Sequence, residues 1–224
     1  MKISEIFYSI QGEGVLAGVP SVFVRTSGCN LRCTWCDTAY TSWSPEGCDM
    51  SIEEIVREVR VHPSRHVVIT GGEPMLFEET VGLTRALESH ITIETAGTIY
   101  KPVKCDLMSI SPKLANSIPV DRESGRWAAQ HDRLRYQPEV LRRLIGEYEY
   151  QLKFVVSSPE DLGEIATIVD QAGADRERVM LMAEGTDAET IRQRAQWIAE
   201  VAKREGFRYS PRLHIDLWGN RRGV

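Results

Sequence analysis

The sequence lacks both a membrane-spanning segment and a secretion signal. It contains no run of about 18 consecutive apolar residues, the length at which a helix begins to span a bilayer. Its first six residues include Lys2 and Glu5 where a signal peptide would carry an apolar stretch. Internal repeats and linker-like stretches are also missing. We therefore expect no membrane partner, a cytoplasmic location and a single domain over residues 1–224.

A basic excess is missing as well. The chain has 27 Lys and Arg residues against 32 Asp and Glu residues, which gives a formal net charge of −5. Proteins that bind nucleic acid usually carry a positive excess, because neutralising phosphates supplies much of their affinity. The short basic pair Arg221-Arg222 is better explained by local contacts. The charge therefore argues against a nucleic-acid partner.

Hydrophobic residues make up 42% of the chain and charged residues 26%, the balance of a globular domain with a full-sized core. Short runs of apolar and β-branched residues predict strands at Val22–Thr26, Val67–Thr70, Ile91–Thr95, Asp106–Ile110, Gln151–Val156, Val179–Met182 and Leu213–Leu217. Such nearly continuous apolar runs are typical of strands covered on both faces, as in a parallel sheet.

Helix start signals lie between the predicted strands. They are Ser51 with Glu54 and Thr186 with Glu189, both in capping-box spacing, and Ser158 followed by Pro159. Further helices are predicted over Phe77–His90 and Pro138–Tyr148, and a loop insertion over Ala115–Arg135. Alternating strands and helices predict an α/β fold with right-handed crossovers. Ligands of such folds bind at the carboxyl ends of the strands.

Cysteine is scarce, and its distribution is uneven. Three of the five cysteines, Cys29, Cys33 and Cys36, form a C-x3-C-x2-C motif directly after the predicted strand Val22–Thr26. Structural zinc usually takes four protein ligands. A [4Fe–4S] cluster held by only three cysteines keeps one iron open, and S-adenosylmethionine (SAM) can chelate it. The alternatives are a zinc site completed by Cys48 or His62, or three unrelated core cysteines.

A second motif, Gly71-Gly72-Glu73-Pro74, ends the predicted strand Val67–Thr70. Glycines let a ligand approach the backbone closely, and a glutamate can accept a hydrogen bond from an ammonium group. Alone, the motif is equally consistent with a turn before a helix. Ser111-Pro112-Lys113 follows another predicted strand, and its serine and lysine could reach a ribose or a carboxylate.

The two main motifs together resemble those of the radical SAM superfamily. The resemblance implies a partial, reduced (β/α)6-type barrel with a parallel sheet. It implies that Cys29, Cys33 and Cys36 hold a [4Fe–4S] cluster. It also implies a SAM site formed by Trp35, Gly71, Gly72, Glu73, Ser111 and Lys113. Trp35 matches the aromatic position that this superfamily places beside the adenine, although it could simply shield the cluster from water.

Several further segments resemble the 7-carboxy-7-deazaguanine synthase family. They are Glu5–Gly14, Cys36-Asp37-Thr38, Arg25, Glu94-Thr95 and Leu217–Val224. The resemblance implies a carbon–nitrogen lyase of queuosine and 7-deazapurine biosynthesis. This enzyme abstracts hydrogen from C6 of 6-carboxy-5,6,7,8-tetrahydropterin, contracts the ring with loss of ammonia, and regenerates SAM. It also implies a homodimer and an electron donor such as flavodoxin or ferredoxin.

The same resemblance implies a Mg²⁺ ion bound through Thr38 and a substrate site formed by Gln11, Gly12, Glu13, Arg25, Thr95 and Val224. Hard oxygen ligands suit Mg²⁺, and the arginine fork suits a carboxylate. Alternatives stay open: Thr38 could be a helix N-cap, and Arg25 could pair with Glu13 or Glu94 instead of a ligand. His214 is given no role.

Two other functions compete with this one. An activase of glycyl-radical enzymes would keep the cluster chemistry but act on a protein, and it would not need the Gln11–Gly14 loop. A zinc-binding interaction domain would be no enzyme at all, and it leaves Gly71–Pro74 without a purpose. Binding of a pterin distinguishes the first alternative, and colourless protein with stoichiometric zinc would indicate the second.

Overall fold

The structure is a computed structural model that describes residues 1–224, and its chain alternates strands with helices. The strands are β1 (Lys2–Ile10), β2 (Pro20–Thr26), β3 (Cys48–Asp49), β4 (His66–Gly71), β5 (His90–Thr95), β6 (Leu107–Ile110), β7 (Tyr150–Val156), β8 (Val179–Ala183) and β9 (Arg208–Ser210). The α-helices are α1 (Ala39–Ser42), α2 (Ile52–Arg60), α3 (Glu79–Ala86), α4 (Ala128–Arg135), α5 (Pro138–Glu147), α6 (Asp161–Ala172), α7 (Ala188–Glu205) and α8 (Leu213–Trp218).

All nine strands form one sheet, in the order β3-β1-β2-β4-β5-β6-β7-β8-β9. Strand β1 runs antiparallel to β2 and β3, and every pair from β2 to β9 is parallel. The two edge strands do not pair with each other, so the barrel stays open. The predicted α/β fold with a partial barrel and a parallel sheet is confirmed.

The parallel strands are buried because both of their faces are covered. Every residue of β7 and β8 is buried, as are the first five residues of β4. Helix α2 packs Ile55, Val56 and Val59 into the same core. Burial of this kind explains the continuous apolar runs in the sequence, because a strand with one wet face would alternate polar and apolar residues.

The barrel is reduced at one crossover. The connection from β5 to β6, residues 96–106, contains no α-helix, whereas the other crossovers between parallel strands do. Asp106 anchors this short connection, because its Oδ2 accepts a hydrogen bond of 2.8 Å from the backbone N–H of Ile91. None of the helices combines the length and the apolar composition needed to cross a membrane.

Six of the seven predicted strands are confirmed within two residues of their ends, but the prediction at Leu213–Leu217 is wrong. That segment is helix α8, and the N–H groups of Ile215 and Asp216 bond back to the carbonyl of Arg212. Alternating apolar and polar residues suggested a strand. However, only Ile215 is buried and Leu217 is 55% exposed, so the segment buries a single position and does not extend the sheet.

The helix signals predicted real helices, but some of the predicted ends were displaced. The Ser51–Glu54 capping box is present in both directions. The box predicted at Thr186 and Glu189 is wrong, because Asp187 is the N-cap and accepts from the N–H of Thr190 at 2.8 Å. Helix α6 begins three residues after Ser158, and α3 is shorter than predicted.

The segment Ala115–Arg135 is not the plain loop that was predicted. It contains two short 3-10 turns, Ala115–Ser117 and Arg122–Gly125, and ends in helix α4. Its polar composition hid this structure, because only one residue of α4, His131, is buried. The predicted helix Pro138–Tyr148, in contrast, is observed as α5 with its proline in the first turn.

Candidate active site

A cavity of about 470 Å³ lies at the carboxyl ends of the parallel strands. This is the size range of small-molecule sites. All but one of the predicted site residues line it: Gln11, Gly12, Glu13, Arg25, Cys29, Cys33, Trp35, Cys36, Thr38, Gly71, Gly72, Thr95, Ser111, Lys113 and Val224. The exception is Glu73. Residues up to 213 positions apart in sequence therefore share one cavity, as expected where the ends of parallel strands converge.

The cysteine loop leaves β2 at Thr26 and passes along one wall of the cavity. Leu31 anchors it in the protein interior with 1% of its surface exposed. Burial raises the pKa of the Cys29 thiol to about 12 and also raises the pKa of Cys33, while the positive charge of Lys113 acts in the opposite direction on both. Cluster formation must therefore include loss of the thiol protons.

The donors on this wall suit an iron–sulfur cluster better than a single ion. No group of three or more His, Cys, Asp or Glu side chains is placed to hold one metal ion. Cys48, the proposed fourth zinc ligand, is exposed on β3, and His62 stacks on Tyr8 outside the cavity. The three thiols therefore stand without a fourth protein ligand, which fits a cluster that keeps one iron open to another molecule.

Gly71, the last residue of β4, and Gly72 directly after it join this strand to the cysteine loop. The N–H of Gly72 donates to the carbonyl of Thr26 at 3.2 Å, and the N–H of Glu73 donates to the carbonyl of Gly28 at 2.8 Å. A Cβ atom on Gly72 would overlap that same Gly28 carbonyl. Gly71 also has a positive φ of 136°, a conformation that favours glycine. The glycines are thus required by backbone contact between two loops.

Glu73 does not line the cavity, and its predicted contact with a ligand ammonium stays a prediction. Its carboxylate is fully buried and accepts three hydrogen bonds: from Thr95 Oγ1 at 2.8 Å, from the Ala96 N–H at 2.8 Å and from the Met75 N–H at 3.0 Å. Burial raises its pKa, and these donors oppose that effect. In this geometry Glu73 ties the end of β5 to the loop after β4.

A second part of the lining, here called the charged wall, carries a network of charges that sequence reasoning missed, and this network reaches the cysteine loop at Asp37. Glu13 forms ion pairs with Lys153 of β7 and with Arg212, the latter at 3.1 Å. Arg212 also pairs with Asp37 at 2.5 Å and donates to the carbonyl of Gly185. Burial alone would raise the pKa of Glu13, but its two cationic partners hold that pKa well below the usual range. Glu13 is therefore an ionised acceptor.

The two basic residues of this network differ in how visible they are in the sequence. Lys153 interrupts the apolar strand Tyr150–Val156, and a lysine buried on such a strand needs a partner. That signal was available. Arg212 lies between Pro211 and a short helix, where nothing in the sequence marks it as buried.

Arg25 pairs with Glu5, and not with Glu13 or Glu94 as the alternatives suggested. Its Nε lies 2.7 Å from Glu5 Oε1, which also accepts from the Tyr40 hydroxyl at 2.8 Å. No hydrogen bond within the protein uses the two terminal Nη atoms of Arg25. These nitrogens are free to bind a ligand, since the residue lines the cavity.

The Gln11–Gly14 loop is fixed by the surrounding side chains. Gln11 Nε2 donates to Glu94 Oε1 at 3.0 Å, and Gln11 Oε1 accepts from the Glu13 N–H at 3.1 Å. Gly12 packs so closely on His214 that a Cβ atom would overlap the imidazole ring. His214, to which no role was given, therefore lines the cavity and supports this loop.

Five further predicted residues line the cavity: Trp35, Thr38, Ser111, Lys113 and Val224. Thr38 occupies the N-cap position of α1, as the alternative suggested, but its side chain makes no capping hydrogen bond, and its Oγ1 lies 3.8 Å from Cys36 Sγ. Trp35 donates from Nε1 to the Asn116 carbonyl at 3.1 Å, and Lys113 Nζ donates to Ser111 at 2.8 Å. Val224, the last residue, also lines the cavity.

Comparison with known proteins agrees with this arrangement. The family model described as "Radical SAM superfamily" matches residues 23–148. The 7-carboxy-7-deazaguanine synthase of Halobacterium salinarum is 47% identical over 98% of this chain and 91% of its own length, and that of Rhodopirellula baltica is 44% identical over 100% and 89%. The crystal structure of QueE from Escherichia coli superposes with a TM-score of 0.68 at 26% identity, covering 93% of this chain and 92% of that one. By these matches the chain belongs to the radical SAM superfamily and, within it, to the 7-carboxy-7-deazaguanine synthase family.

Proposed function

We propose that this chain converts 6-carboxy-5,6,7,8-tetrahydropterin to 7-carboxy-7-deazaguanine and ammonia, as a carbon–nitrogen lyase of queuosine and 7-deazapurine biosynthesis. The observation that carries the proposal is the single cavity, which joins the cysteine loop on one wall to the charged wall around Glu13. The full-length similarity to synthases with this name supports the same substrate.

Cys29, Cys33 and Cys36 would hold a [4Fe–4S] cluster, and SAM would bind next to it against Trp35, Gly71, Gly72, Ser111 and Lys113. Together, when bound, they would supply the electron and the 5′-deoxyadenosyl radical that start the reaction. Lys113 Nζ lies 5.8 Å from the centre of the Trp35 ring, so its charge and the aromatic face border the same part of the cavity. This arrangement would bind the adenosine and carboxylate parts of SAM.

The charged wall around Glu13 would recognise the pterin. Glu13 is ionised and Gln11 is locked by Glu94, so the wall presents acceptors in fixed positions to the N–H groups of the pterin edge. Fixed acceptors reduce the ordering cost of binding. The unused Nη atoms of Arg25 are placed to pair with the substrate carboxylate, as a planar fork does well. Thr95 and Val224 would complete the site.

We also propose that Thr38 and the substrate carboxylate bind Mg²⁺. The Thr38 side chain is free of a capping bond and lines the cavity, and its hydroxyl is a hard ligand. The neighbouring Asp37 is already paired with Arg212, so the hydroxyl is the more available donor. The family resemblance further supports a homodimer, and a flavodoxin or ferredoxin as reductant.

The test is an anaerobic assay of the reconstituted protein with dithionite, SAM and 6-carboxytetrahydropterin, in which mass spectrometry detects 7-carboxy-7-deazaguanine. We expect product from the native chain and from Cys48→Ala, which removes an exposed cysteine outside the cavity. We expect no product from Cys33→Ala. If SAM is cleaved to 5′-deoxyadenosine but no deazapurine forms, the substrate is wrong, and an activase acting on protein becomes the better hypothesis.

Two further variants separate the roles of the walls. Arg25→Lys keeps a positive charge but loses the planar fork, and we expect a rise in KM for the pterin of about tenfold or more. Thr38→Val keeps the shape and removes the hydroxyl. If Thr38 binds Mg²⁺, added Mg²⁺ should stimulate the native enzyme and have little effect on this variant.

A further inference from the structure

The cysteine loop is held from outside by residues that the reaction does not use. We call residues Leu114–His131 the bracing segment. The carbonyl of Ser117 accepts from the Thr34 N–H at 2.9 Å, and Asn116 accepts from Trp35 Nε1. The bracing segment therefore contacts the loop at two consecutive residues between Cys33 and Cys36.

A third contact comes from His131, which is 1% exposed although it lies on a mostly exposed helix. Its Nδ1 is 3.0 Å from the backbone nitrogen of Arg32, and its Nε2 is 2.8 Å from the Ser117 hydroxyl. That hydroxyl is in turn 2.6 Å from the carbonyl oxygen of Leu114. The imidazole ring thus connects the cysteine loop to the start of the bracing segment.

The donor and the acceptor of each hydrogen bond in this series follow from the chemistry of the groups. A backbone N–H can only donate, so His131 Nδ1 must accept and carries no proton. A neutral imidazole then has its proton on Nε2, which donates to the Ser117 hydroxyl. Ser117 donates its own proton to the Leu114 carbonyl. Only the neutral Nε2–H tautomer satisfies every partner, since a proton on Nδ1 would face the Arg32 N–H with a second donor.

We propose that His131, as its neutral Nε2–H tautomer, is a positioning residue that fixes the cysteine loop between Cys29 and Cys33 for cluster binding. The inference rests on the proposed role of these cysteines as cluster ligands. Arg32 lies between the two cysteines, so the position of its peptide plane sets how the loop turns between two of the three thiolates.

The other contacts of Arg32 point to the same conclusion. Its Nη1 folds back onto the carbonyls of Cys29 at 2.7 Å and Leu31 at 2.8 Å, and its guanidinium lies 5.1 Å from the centre of the Trp127 ring. The bracing segment therefore fixes both the backbone and the side chain of Arg32.

The bracing segment is itself anchored to the barrel, which allows it to act as a support. Asn116 Nδ2 donates to Asp161 Oδ2 at 2.9 Å, at the start of α6. Asp161 also accepts from the N–H groups of Ser157 and Ser158, directly after β7. The cysteine loop is thus connected through Asn116 and His131 to the rigid end of a central strand.

The test compares His131→Leu with His131→Gln. Leucine fills a similar volume but cannot accept a hydrogen bond, whereas glutamine offers both an acceptor and a donor. In the cluster-free protein we expect hydrogen exchange of the Arg32 amide to accelerate about tenfold in His131→Leu and to return towards the native rate in His131→Gln. Iron retained per chain after anaerobic reconstitution should follow the same order. His62→Leu, remote from the cavity, should change neither.

The ¹⁵N shifts of the His131 ring in the native protein give a measurement that needs no variant. They should show a protonated Nε2 and an unprotonated Nδ1. A protonated Nδ1, or native-rate exchange of the Arg32 amide in His131→Leu, would overturn the proposal. A failure of the cysteine assignment would look different: Cys33→Ala would keep its iron, while the exchange and ¹⁵N results on the cluster-free protein would stand unchanged.

Discussion

The two walls of the cavity are held by different kinds of interaction. On the cysteine side, Arg32, Thr34 and Trp35 are held by neutral hydrogen bonds to His131, Ser117 and Asn116. On the charged wall, Glu13 is held by ion pairs with Lys153 and Arg212, and Arg212 extends the network to Asp37 beside Cys36. The two sides also differ in burial, since Thr34 is exposed whereas Lys153 and Arg212 are buried, but burial alone does not explain why one side uses neutral hydrogen bonds and the other ion pairs.

The chemistry proposed for each wall does explain it. A cluster held by three thiolates brings its own negative charge, and fixed neutral donors and acceptors beside it shape the loop without adding to that charge. A pterin with a carboxylate needs ionised partners in fixed positions, and a carboxylate such as Glu13 stays ionised in a buried site only when cations face it. The comparison therefore predicts that the walls respond differently to substitution, acid and steric pressure.

The largest effect should come from breaking the charged wall at Arg212. Arg212→Leu leaves Glu13 with one cation and Asp37 with none, and removing one member of a buried ion pair costs about 3–5 kcal/mol. Urea unfolding of the cluster-free protein measures this loss. Arg212→Lys should recover only part of it, because one ammonium cannot reach Glu13, Asp37 and the Gly185 carbonyl together.

The matched control is Arg192→Leu, which removes an arginine whose only ion pair lies on the exposed face of α7. We expect no measurable change in its free energy of unfolding. If Arg212→Leu is as stable as this control, the ion pairs do not hold the wall, and the contrast between the two walls fails.

Lowering the pH should affect the stability contributed by the two walls differently, without any substitution. Burial, with the nearby charges of Arg135 and Lys113, lowers the pKa of His131 to about 4, and only the charge of Asp132 opposes this shift. A histidine that must stay neutral in the folded state makes folding less favourable as pH falls from about 6.5 towards 4, because the unfolded chain binds the proton first. The resulting loss in the free energy of unfolding is at most about 3 kcal/mol.

Glu13 behaves in the opposite sense. Its pKa lies below the usual range, so its contribution is complete above about pH 4.5 and is lost only at lower pH. Between pH 6.5 and 4.5 Glu13 should therefore keep its contribution while that of His131 weakens. His214, next to Gly12, also loses stability over this range because burial lowers its pKa, and it is common to the native chain and His131→Gln. We expect unfolding free energies of the native chain and His131→Gln to converge over this range. A constant difference between them would show that His131 does not titrate on unfolding.

His66 must be controlled in that experiment. Burial and His90 lower its pKa to about 4 as well, against the charge of Asp106, but it lies at the start of β4, at the opposite end of the sheet. It bonds to Ser21 at 2.6 Å and to Thr92 at 2.8 Å. His66→Gln should flatten the acid dependence of stability by a similar amount and leave exchange of the Arg32 amide unchanged.

A methyl group added at Gly72 should disturb the contact between the end of β4 and the cysteine loop. Gly72→Ala forces a methyl group into the Gly28 carbonyl, and overpacking of this kind costs about 1–3 kcal/mol. The same substitution at Gly163, the third residue of α6 with no atom near the added methyl group, should stabilise the protein by up to about 0.5–1 kcal/mol. Thermal unfolding of both variants measures the difference. Equal effects would mean that the cysteine loop can move away from Gly72 freely.

The parts of the fold that the sequence predicted are those whose signal is local. Strands β4, β7 and β8 are continuous apolar runs, and burial on both faces explains them. Strand β1 was missed because a shift in its pairing between Ile3 and Glu5 breaks the alternation that marks a strand. Strand β9 has three residues, too few for any periodic signal.

The site residues likewise divide into those with a local sequence signal and those without one. The cysteines and Gly71–Pro74 are contiguous motifs, so the cysteine wall was identifiable from the sequence. The charged wall joins Glu13 to Lys153 and Arg212, 140 and 199 residues away along the chain, and no local pattern records such pairings. The hydrogen bonding of Glu73 could not be predicted from the sequence either, because it depends on which backbone N–H groups the end of β5 presents.

The smallest effect on stability should come from Arg222, at the open edge of the cavity. Its guanidinium bonds to Glu5 at 3.2 Å and Glu46 at 3.0 Å and lies 4.2 Å from the centre of the Tyr40 ring, with the side chain 45% exposed. Exposed ion pairs contribute between zero and about 1 kcal/mol, so Arg222→Ala should unfold almost as the native chain does. These contacts nevertheless hold the last residues against the cavity, two positions before Val224.

The expected consequence is therefore in binding. We expect Arg222→Ala to raise KM for the pterin several-fold with kcat nearly unchanged, because a loose terminus must be ordered each time substrate binds. Added salt should raise the native KM towards that of the variant, since exposed pairs are screened. Arg204→Ala, an exposed arginine on α7, is the control and should change neither KM nor its dependence on salt. An unchanged KM in Arg222→Ala would mean that Val224 takes no part in substrate binding.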